Sequence, residues 1–247
     1  MTEPATVCPN CNGTGWVIVK QGENEVARKC ECQIEDAYYK IGEKANIPPR
    51  FIGAGLEWGY KPAPNCPSQE IAKNIAIQFI EQYPAVEKGL LFQGSIGLGK
   101  TSIICSIGFS LIKRGIDVFY MDWNDLVREM RTGEGHTTRD FSAIHQLISR
   151  MAEVDLLIFD ELGASRVSQW VYDNIYYLFN KRYNYNKITV CASNFTDVPS
   201  EGTETLSQRL GERIRSRLYE MTLPVEIKGG DFRQINMSGK KAIPNFS

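Results

Sequence analysis

The chain has 247 residues, of which 43% are hydrophobic and 23% are charged, and its formal net charge is −1. This composition is typical of a globular protein and excludes a chain that is basic throughout, so any nucleic-acid binding must depend on a local patch. No segment approaches the roughly 20 apolar residues of a membrane-spanning helix. The N-terminus lacks the basic start and apolar run of a secretory signal. We therefore expect a cytoplasmic protein.

Four of the seven cysteines, Cys8, Cys11, Cys30 and Cys32, lie near the N-terminus as a Cys-x₂-Cys and a Cys-x-Cys pair. The alternating segments GWVIVK and VARK between them predict two short strands joined by a turn. In a reducing compartment such a cluster favours a metal site, and four thiolates suit tetrahedral Zn²⁺. Free or disulfide-bonded cysteines are the alternative, and the short second pair leaves the fourth ligand open.

Three parts are expected along the chain: a zinc-binding N-terminal module over residues 1–45, a linker over 46–67 that is rich in proline and glycine, and a domain over 68–247. In the third part the apolar segments GLLFQ, IDVFYMD, VDLLIFD and KITVCAS alternate with helical patterns. Such alternation predicts a three-layer α/β fold with a parallel sheet covered on both faces.

The segment GSIGLGKT, residues 94–101, matches G-x-x-x-x-G-K-[ST] between a predicted strand and a predicted helix. Glycines let backbone N–H groups point at phosphate oxygens, and the helix N-terminus adds positive potential. We predict that Lys100 reaches the β- and γ-phosphates of ATP and that the Thr101 hydroxyl is a Mg²⁺ ligand. The predicted nucleotide-binding residues of this loop are Gly94, Ser95, Gly97, Gly99, Lys100, Thr101 and Ser102.

An acidic pair follows the predicted strand VDLLIFD, at the edge where open α/β sheets bind ligands. We predict that Asp160 holds Mg²⁺, largely through water, and that Glu161 is the general base that polarises an attacking water. Alone, such a pair is more typical of a helix cap, but beside a phosphate loop it favours hydrolysis of ATP to ADP and phosphate. After the strand ITVCAS, Asn194 is a candidate for orienting the water, and an ordinary turn residue is the alternative.

The segment TLSQRLGERIRSRLYEM, residues 205–221, predicts one long helix. It carries an apolar stripe (Leu206, Leu210, Ile214 and Leu218) beside an arginine stripe (Arg209, Arg213 and Arg217). Arginines at this spacing repel one another unless something anionic faces them, such as the phosphates of a nucleotide bound to a neighbouring subunit. A solvated basic face is the alternative.

Together, the segments IPPRF, GSIGLGKT, LLIFDELG, NKRYNYNKITVCASN and GERIRSRL followed by GGDFR resemble an AAA+ ATPase of the DnaC/DnaI helicase-loader and IstB type. The resemblance implies that Asn194 is the sensor-1 residue and Arg217 the arginine finger, with Arg213 as its companion. It implies that the ITVCAS strand lies between those of the phosphate loop and the acidic pair. As in this subgroup, too few residues follow for a helical lid, and Arg233 is a weak sensor-2 candidate.

The resemblance further implies a DNA replication protein that oligomerises on binding ATP, binds single-stranded DNA, loads the replicative DNA helicase and uses hydrolysis as a release switch. The zinc module would dock the helicase. The helical region after IDVFYMD would face DNA. From the residues themselves, the candidate phosphate contacts for single-stranded DNA are Lys113 with Arg114, and Arg128 with Arg131 and Arg139; a solvated helix face is the alternative for each. The alternatives are an IstB-type ATPase that regulates a transposase, a P-loop kinase, and an adaptor without DNA contact.

Overall fold

The computed structural model describes residues 8–22, 24–53, 56, 60, 62–63, 66–133, 138–198 and 202–231. Strands β1 (Trp16–Gln21) and β2 (Asn24–Lys29) form an antiparallel hairpin, followed by helix α1 (Glu31–Lys44) and a short 3-10 helix (Pro49–Phe51). The hairpin confirms the two predicted N-terminal strands. Among the described helices, none combines the length and apolarity needed to span a bilayer.

The remaining elements alternate between helix and strand. The helices are α2 (Pro67–Gln82), α3 (Lys100–Lys113), α4 (Trp123–Gly133), α5 (Thr138–Glu153), α6 (Gln169–Asn184), α7 (Leu206–Leu210) and α8 (Glu212–Met221). The strands are β3 (Gly89–Gln93), β4 (Val118–Asp122), β5 (Leu156–Asp160), β6 (Ile188–Ser193) and β7 (Thr222–Glu226). They form one parallel sheet in the order β4-β5-β6-β3-β7. Strand β6 therefore lies between β3 and β5, as the resemblance implied.

The sheet is covered on both faces, so this part of the chain has three layers. On one face α2 and α3 pack against strand residues such as Phe92 and Ile158. On the other face α4, α5, α6, α7 and α8 pack against the alternate strand residues, such as Leu91 and Phe159. Because neighbouring strand residues point to opposite faces, a strand buried on both sides is apolar throughout. This explains why β3 and β5 were recognisable from the sequence.

The segment around residue 45 packs against the domain, which the sequence did not reveal. Helix α1 was not predicted, and Ala45 and Ile47 belong to the main core. The Ala45 carbonyl accepts a hydrogen bond from the Tyr120 N–H at 2.8 Å, and the Asn46 side-chain amide donates to the Tyr120 carbonyl at 3.0 Å. These bonds satisfy backbone groups of β4, which is an edge strand of the sheet.

The long helix predicted over residues 205–221 is wrong in one respect: it is two helices, α7 and α8, separated by Gly211. Gly211 has φ 74° and ψ 152°, which a residue with a side chain rarely adopts, and a Cβ there would lie 3.0 Å from the Tyr172 hydroxyl. The apolar stripe nevertheless stays buried on both sides of the break. The sequence pattern was correct for the buried face and missed the bend.

Arg182 is a fully buried cation on α6 that joins three elements of the fold. Its guanidinium donates to the backbone carbonyls of Met151, Ala152, Val154 and Ile188 and to the Thr189 hydroxyl. It therefore satisfies carbonyls at the C-terminal end of α5, which the helix itself leaves without donors. Burial lowers the pKa of Arg182 to about 10, so the side chain stays charged at neutral pH.

We predict that Arg182→Met lowers the free energy of unfolding by about 3 kcal/mol, because methionine fills similar space but leaves several buried carbonyls without a donor. Urea unfolding followed by circular dichroism measures the change. The matched control is Arg128→Met, whose exposed ion pair with Asp125 should contribute less than about 0.5 kcal/mol. Equal stability of the two variants would contradict the structural role of Arg182.

Candidate functional site

A cavity of about 550 Å³ lies at the carboxyl ends of β3, β5 and β6. Eight of the residues predicted from the sequence line it: Gly97, Gly99, Lys100, Thr101, Ser102, Asp160, Glu161 and Asn194. Gly94 and Ser95 are not among the described lining residues, but their carbonyls each accept a hydrogen bond from Lys100 Nζ at 2.7 Å. The fold therefore brings the phosphate loop, the acidic pair and Asn194 to one place.

The phosphate loop is closed from outside by the chain that follows β7. A Cβ at Gly94 would lie 2.1 Å from the Ile227 carbonyl oxygen, and one at Gly97 would lie 1.9 Å from Asp231 Oδ1. Both glycines also have positive φ, at 146° and 82°. The loop thus needs glycine at these two positions for close approach as well as for conformation.

Hydrogen bonds fix this following segment in place. The Ile227 N–H donates to the Gln93 carbonyl at 2.7 Å, directly before the phosphate loop. The Ser68 hydroxyl donates to the Lys228 carbonyl at 2.8 Å. Ser95, predicted as a nucleotide-binding residue, donates its hydroxyl to the Gly229 carbonyl at 3.4 Å. In this structure the Ser95 side chain therefore stabilises the loop from behind.

Asp160 is buried, with 3% of its surface exposed, at the end of β5. Its carboxylate accepts hydrogen bonds from the Tyr120 hydroxyl at 3.0 Å, from the Glu161 N–H at 2.9 Å and from the Thr101 side chain. Burial raises the pKa of Asp160 despite these bonds. The two residues predicted to hold Mg²⁺, Thr101 and Asp160, are thus in contact, and a hydroxyl beside a carboxylate is an oxygen donor set that suits this ion.

Glu161 has an unusual backbone conformation, and its side chain contacts a residue that the sequence did not single out. Its φ is 48°, in the left-handed region that residues other than glycine seldom occupy. Its carboxylate accepts a hydrogen bond from the Asn124 side-chain amide at 3.1 Å. Asn124 lies just past the end of β4, so the strand-end criterion that selected Asn194 could also have found it.

Two residues from the segment before α2 also line the cavity. Arg50 and Phe51 come from the IPPRF segment, and the Arg50 guanidinium lies 4.7 Å from the centroid of the Phe51 ring. The sequence offered this segment only as part of a family resemblance. The structure makes it a wall of the same cavity that contains the phosphate loop.

The arginine stripe divides into residues with different surroundings. Arg209 donates to the carbonyls of Gly163 and Ala164 and to the Glu204 carboxylate, so its contacts lie within the fold. Arg213 and Arg217 instead lie against tyrosines of α6. Among the described residues that line the cavity, none comes from α7 or α8. The sensor-2 candidate Arg233 lies outside the described residues.

The four N-terminal cysteines have Sγ atoms that all lie within 4.8 Å of one another. The Cys8–Cys30 and Cys11–Cys32 sulfur distances are 3.8 and 3.6 Å, close to the edge of about 3.8 Å expected for tetrahedral zinc with Zn–S bonds near 2.3 Å. A hydrogen bond from the backbone at Gly15 lowers the pKa of the Cys11 thiol to about 7. The cluster could bind zinc, and its donor set fits that ion.

The predicted DNA-contacting cations mostly contact groups within the fold. Arg114 donates to the carbonyls of Ile80 and Tyr83, Lys113 lies over the rings of Tyr38 and Phe109, Arg128 pairs with Asp125, and Arg131 donates to the Arg166 carbonyl. The side chain of Arg139 lies outside the described residues. These contacts do not test DNA binding, which stays a prediction.

The chain is similar to proteins of one ATP-binding family over most of its length. A family model described as IstB-like ATP binding protein matches residues 51–239. This range contains the phosphate loop, the acidic pair, Asn194 and both arginines predicted to act at the nucleotide.

Individual relatives are consistent with this match. The phage-like element PBSX protein XkdC of Bacillus subtilis (strain 168) is 23% identical over 223 residues, 87% of this chain and 79% of the relative. The replicative helicase loader DnaC of Escherichia coli (strain K12) is 26% identical over 154 residues, 62% of this chain and 59% of DnaC, which is less than two thirds of its length. A crystal structure of the DnaC helicase loader superposes with a TM-score of 0.60 and 30% identity, over 73% of this chain and 100% of that one. The predicted AAA+ fold and the resemblance to DnaC-type loaders are confirmed.

We predict that, in EDTA and without nucleotide, Asp160→Asn raises the free energy of unfolding at neutral pH. A carboxyl whose pKa is raised by folding is a source of instability above that pKa, and the penalty disappears as the pH falls through it. The stability difference between Asp160→Asn and the parent should therefore shrink on acidification. Urea unfolding at several pH values measures it. A variant less stable than the parent at neutral pH would show that burial does not dominate at Asp160.

Proposed function

The chain belongs to the IstB-like ATP-binding family, and on that premise we propose that it is an ATP-dependent DNA replication protein that loads the replicative DNA helicase. ATP binding and an AAA+ fold are common to the family. The observation that supports hydrolysis is the convergence of the phosphate loop, the Thr101–Asp160 contact and Glu161 in one cavity. The expected reaction is ATP hydrolysis to ADP and phosphate.

In this proposal the phosphate loop binds the triphosphate through its backbone N–H groups and the N-terminus of α3. Lys100 exchanges its bonds with the carbonyls of Gly94 and Ser95 for phosphate oxygens. Thr101 and Asp160 hold Mg²⁺, which would neutralise phosphate charge when bound. Arg50 and Phe51, at another wall of the cavity, are available to the nucleoside.

Hydrolysis depends on Glu161 as the proton acceptor for water that attacks the γ-phosphate. The Asn124 amide donates a hydrogen bond to the Glu161 carboxylate and so helps to orient it toward the attacking water. Asn194, in the sensor-1 position, lies on the same cavity and would orient that water. These roles need one carboxylate and one amide on adjacent strands, which is what β5 and β6 supply.

An arginine from a second copy of the chain completes the site. Arg217, with Arg213 beside it, does not line the cavity of its own chain, so it would act on ATP bound to a neighbouring protomer. Such an arrangement couples nucleotide binding to homo-oligomerisation. Guanidinium groups supplied in this way raise phosphoryl-transfer rates about 10³-fold or more in other systems.

We propose the replicative helicase as the client, with single-stranded DNA bound by the same oligomer and ATP hydrolysis as the release step. Relatives that are named as helicase loaders support this choice, and a cytoplasmic location goes with it. The cysteine hairpin, held by Zn²⁺ within residues 1–45, would dock the helicase. The second candidate is an IstB-type ATPase that regulates a transposase, and the description of the family as IstB-like supports it.

We predict that Lys100→Ala abolishes binding of a fluorescent ATP analogue, whereas Glu161→Gln keeps binding and lowers turnover at least about a hundredfold. Lysine binds the phosphates directly, but the glutamate is needed only for the attack by water. Phosphate release and fluorescence titration separate the two effects. Glu81→Gln, an exposed change on α2, is the matched control and should leave both unchanged. Full turnover by Glu161→Gln would exclude it as the base.

We predict one zinc ion per chain, because four thiolates at these distances fit a tetrahedral site and a hairpin of this size needs the binding energy to fold. Elemental analysis of protein purified without added metal measures the content. Cys11→Ser should lose the metal, whereas Cys66→Ser, on a different part of the chain, should retain it. Zinc-free parent protein, or full zinc in Cys11→Ser, would refute this site.

The client is identified by affinity capture. The Glu161→Gln variant, held in its ATP-bound state, should retain a replicative helicase from cell extract, and the release should follow removal of nucleotide. Capture of a transposase in place of the helicase would favour the second candidate. Capture of neither under conditions where ATP binds would contradict the loader function.

A further inference from the structure

Two arginines of α8 rest on tyrosine rings of α6. The Arg217 guanidinium carbon lies 4.3 Å from the centroid of the Tyr183 ring, and that of Arg213 lies 5.9 Å from the centroid of Tyr176. Both distances are within the range of about 6 Å in which a cation is attracted to a ring face. The Tyr183 pair is the closer of the two and is additionally fixed by hydrogen bonds.

Tyr183 is held in place by α8 itself. Its hydroxyl donates to the Glu220 carboxylate at 2.7 Å, and its oxygen also accepts a hydrogen bond from the Arg217 side chain. Glu220 lies three residues beyond Arg217 on α8, so both residues face the same ring. The ring is therefore oriented by one contact at its edge and one at its face.

Contact with a ring leaves guanidinium N–H donors of arginine available for other partners. A guanidinium has five N–H donors, more than one aromatic ring and one hydroxyl can occupy. One hydrogen bond to Tyr183 leaves the others for phosphate oxygens. A free arginine side chain loses rotamer freedom when it binds, and a ring that already limits this freedom reduces the entropic cost of binding.

The helix pair does not need the Tyr183 ring for its own packing. Leu178 of α6 and Ile214 and Leu218 of α8 are fully buried between these helices and the sheet. Tyr183 and Arg217 lie outside this core and are only half-buried. A contact between two half-exposed side chains at the border of the core contributes little to folding.

We propose that Tyr183 is a positioning residue, which holds the Arg217 guanidinium ready to meet the phosphates of ATP bound to a second copy of the chain. This role rests on the proposed function, because Arg217 itself must act in trans. Tyr183 does not touch the nucleotide. Tyr176 is the corresponding support for Arg213, at a longer distance and with a weaker expected effect.

The experiment compares Tyr183→Leu, Tyr183→Phe, Arg217→Ala and the double variant Tyr183→Leu/Arg217→Ala in steady-state ATP hydrolysis at saturating protein concentration. Arg217→Ala should lower kcat at least about a hundredfold. Tyr183→Leu should lower kcat about fivefold to tenfold with KM for ATP unchanged, and Tyr183→Phe, which keeps the ring face, should stay within about twofold of the parent. The double variant should be no slower than Arg217→Ala alone. Tyr177→Leu, an exposed tyrosine on the same helix that faces Lys181, is the matched control.

The outcomes separate the two levels of the proposal. Normal turnover by Arg217→Ala would remove the trans arginine and the role of Tyr183 together. An inactive Arg217→Ala beside a fully active Tyr183→Leu would overturn only the positioning role. The ring face as the support of Arg217 is overturned if Tyr183→Phe is as slow as Tyr183→Leu, since that result would assign the support to the hydroxyl. The positioning role as a whole is overturned if Tyr183→Leu slows the Arg217→Ala background further and lowers Tm, since a loss independent of Arg217 would indicate a purely structural ring.

Discussion

The parallel register of β5, β6 and β3 is the constraint on which the site depends. Phe159 pairs with Cys191, and Leu91 pairs with the same residue from the other side, so the three strands end at one level. The phosphate loop follows β3, the acidic pair lies at the end of β5 and Asn194 follows β6, so these residues lie at one edge of the sheet. A shift of any strand along its neighbours would separate the groups that the proposed function brings to one nucleotide.

Several residues at the cavity carry buried charge or backbone strain, which lowers the free energy of unfolding. Asp160 is a buried carboxylate with a raised pKa, and Glu161 occupies a backbone conformation that costs about 1 kcal/mol or more. The Lys100 ammonium is buried and donates hydrogen bonds to two carbonyls of its own loop. In the proposed function, a metal ion beside Asp160 and phosphate oxygens beside Lys100 would offset the cost of burying these two charges. Strain and burial at this edge of the sheet are consistent with a preorganised site.

Most of the fold could be predicted because its signals are local or periodic. Strands β3, β5 and β6 are apolar runs of strand length, and the phosphate loop is a fixed spacing of residue types. The bend at Gly211 could not be predicted, since the helical stripe continues on both sides of it and a single glycine is tolerated inside helices. The packing of the residues just after helix α1 against β4 also escaped, because Asn46 and Tyr120 lie far apart in the chain. The strand-end position could have singled out Asn124, but its contact with Glu161 and that of Tyr120 with Asp160 became visible only in three dimensions.

The central claim is that ATP bound in one protomer is hydrolysed with an arginine from the next. Mixing two inactive variants tests it most directly: Glu161→Gln keeps Arg217, and Arg217→Ala keeps an intact cavity. In a head-to-tail oligomer assembled from equal amounts, about a quarter of the junctions pair an intact cavity with an intact arginine, so turnover should recover to about that fraction of the parent's. Turnover in the mixture that merely equals the average of the two separate variants, despite assembly, would contradict the claim.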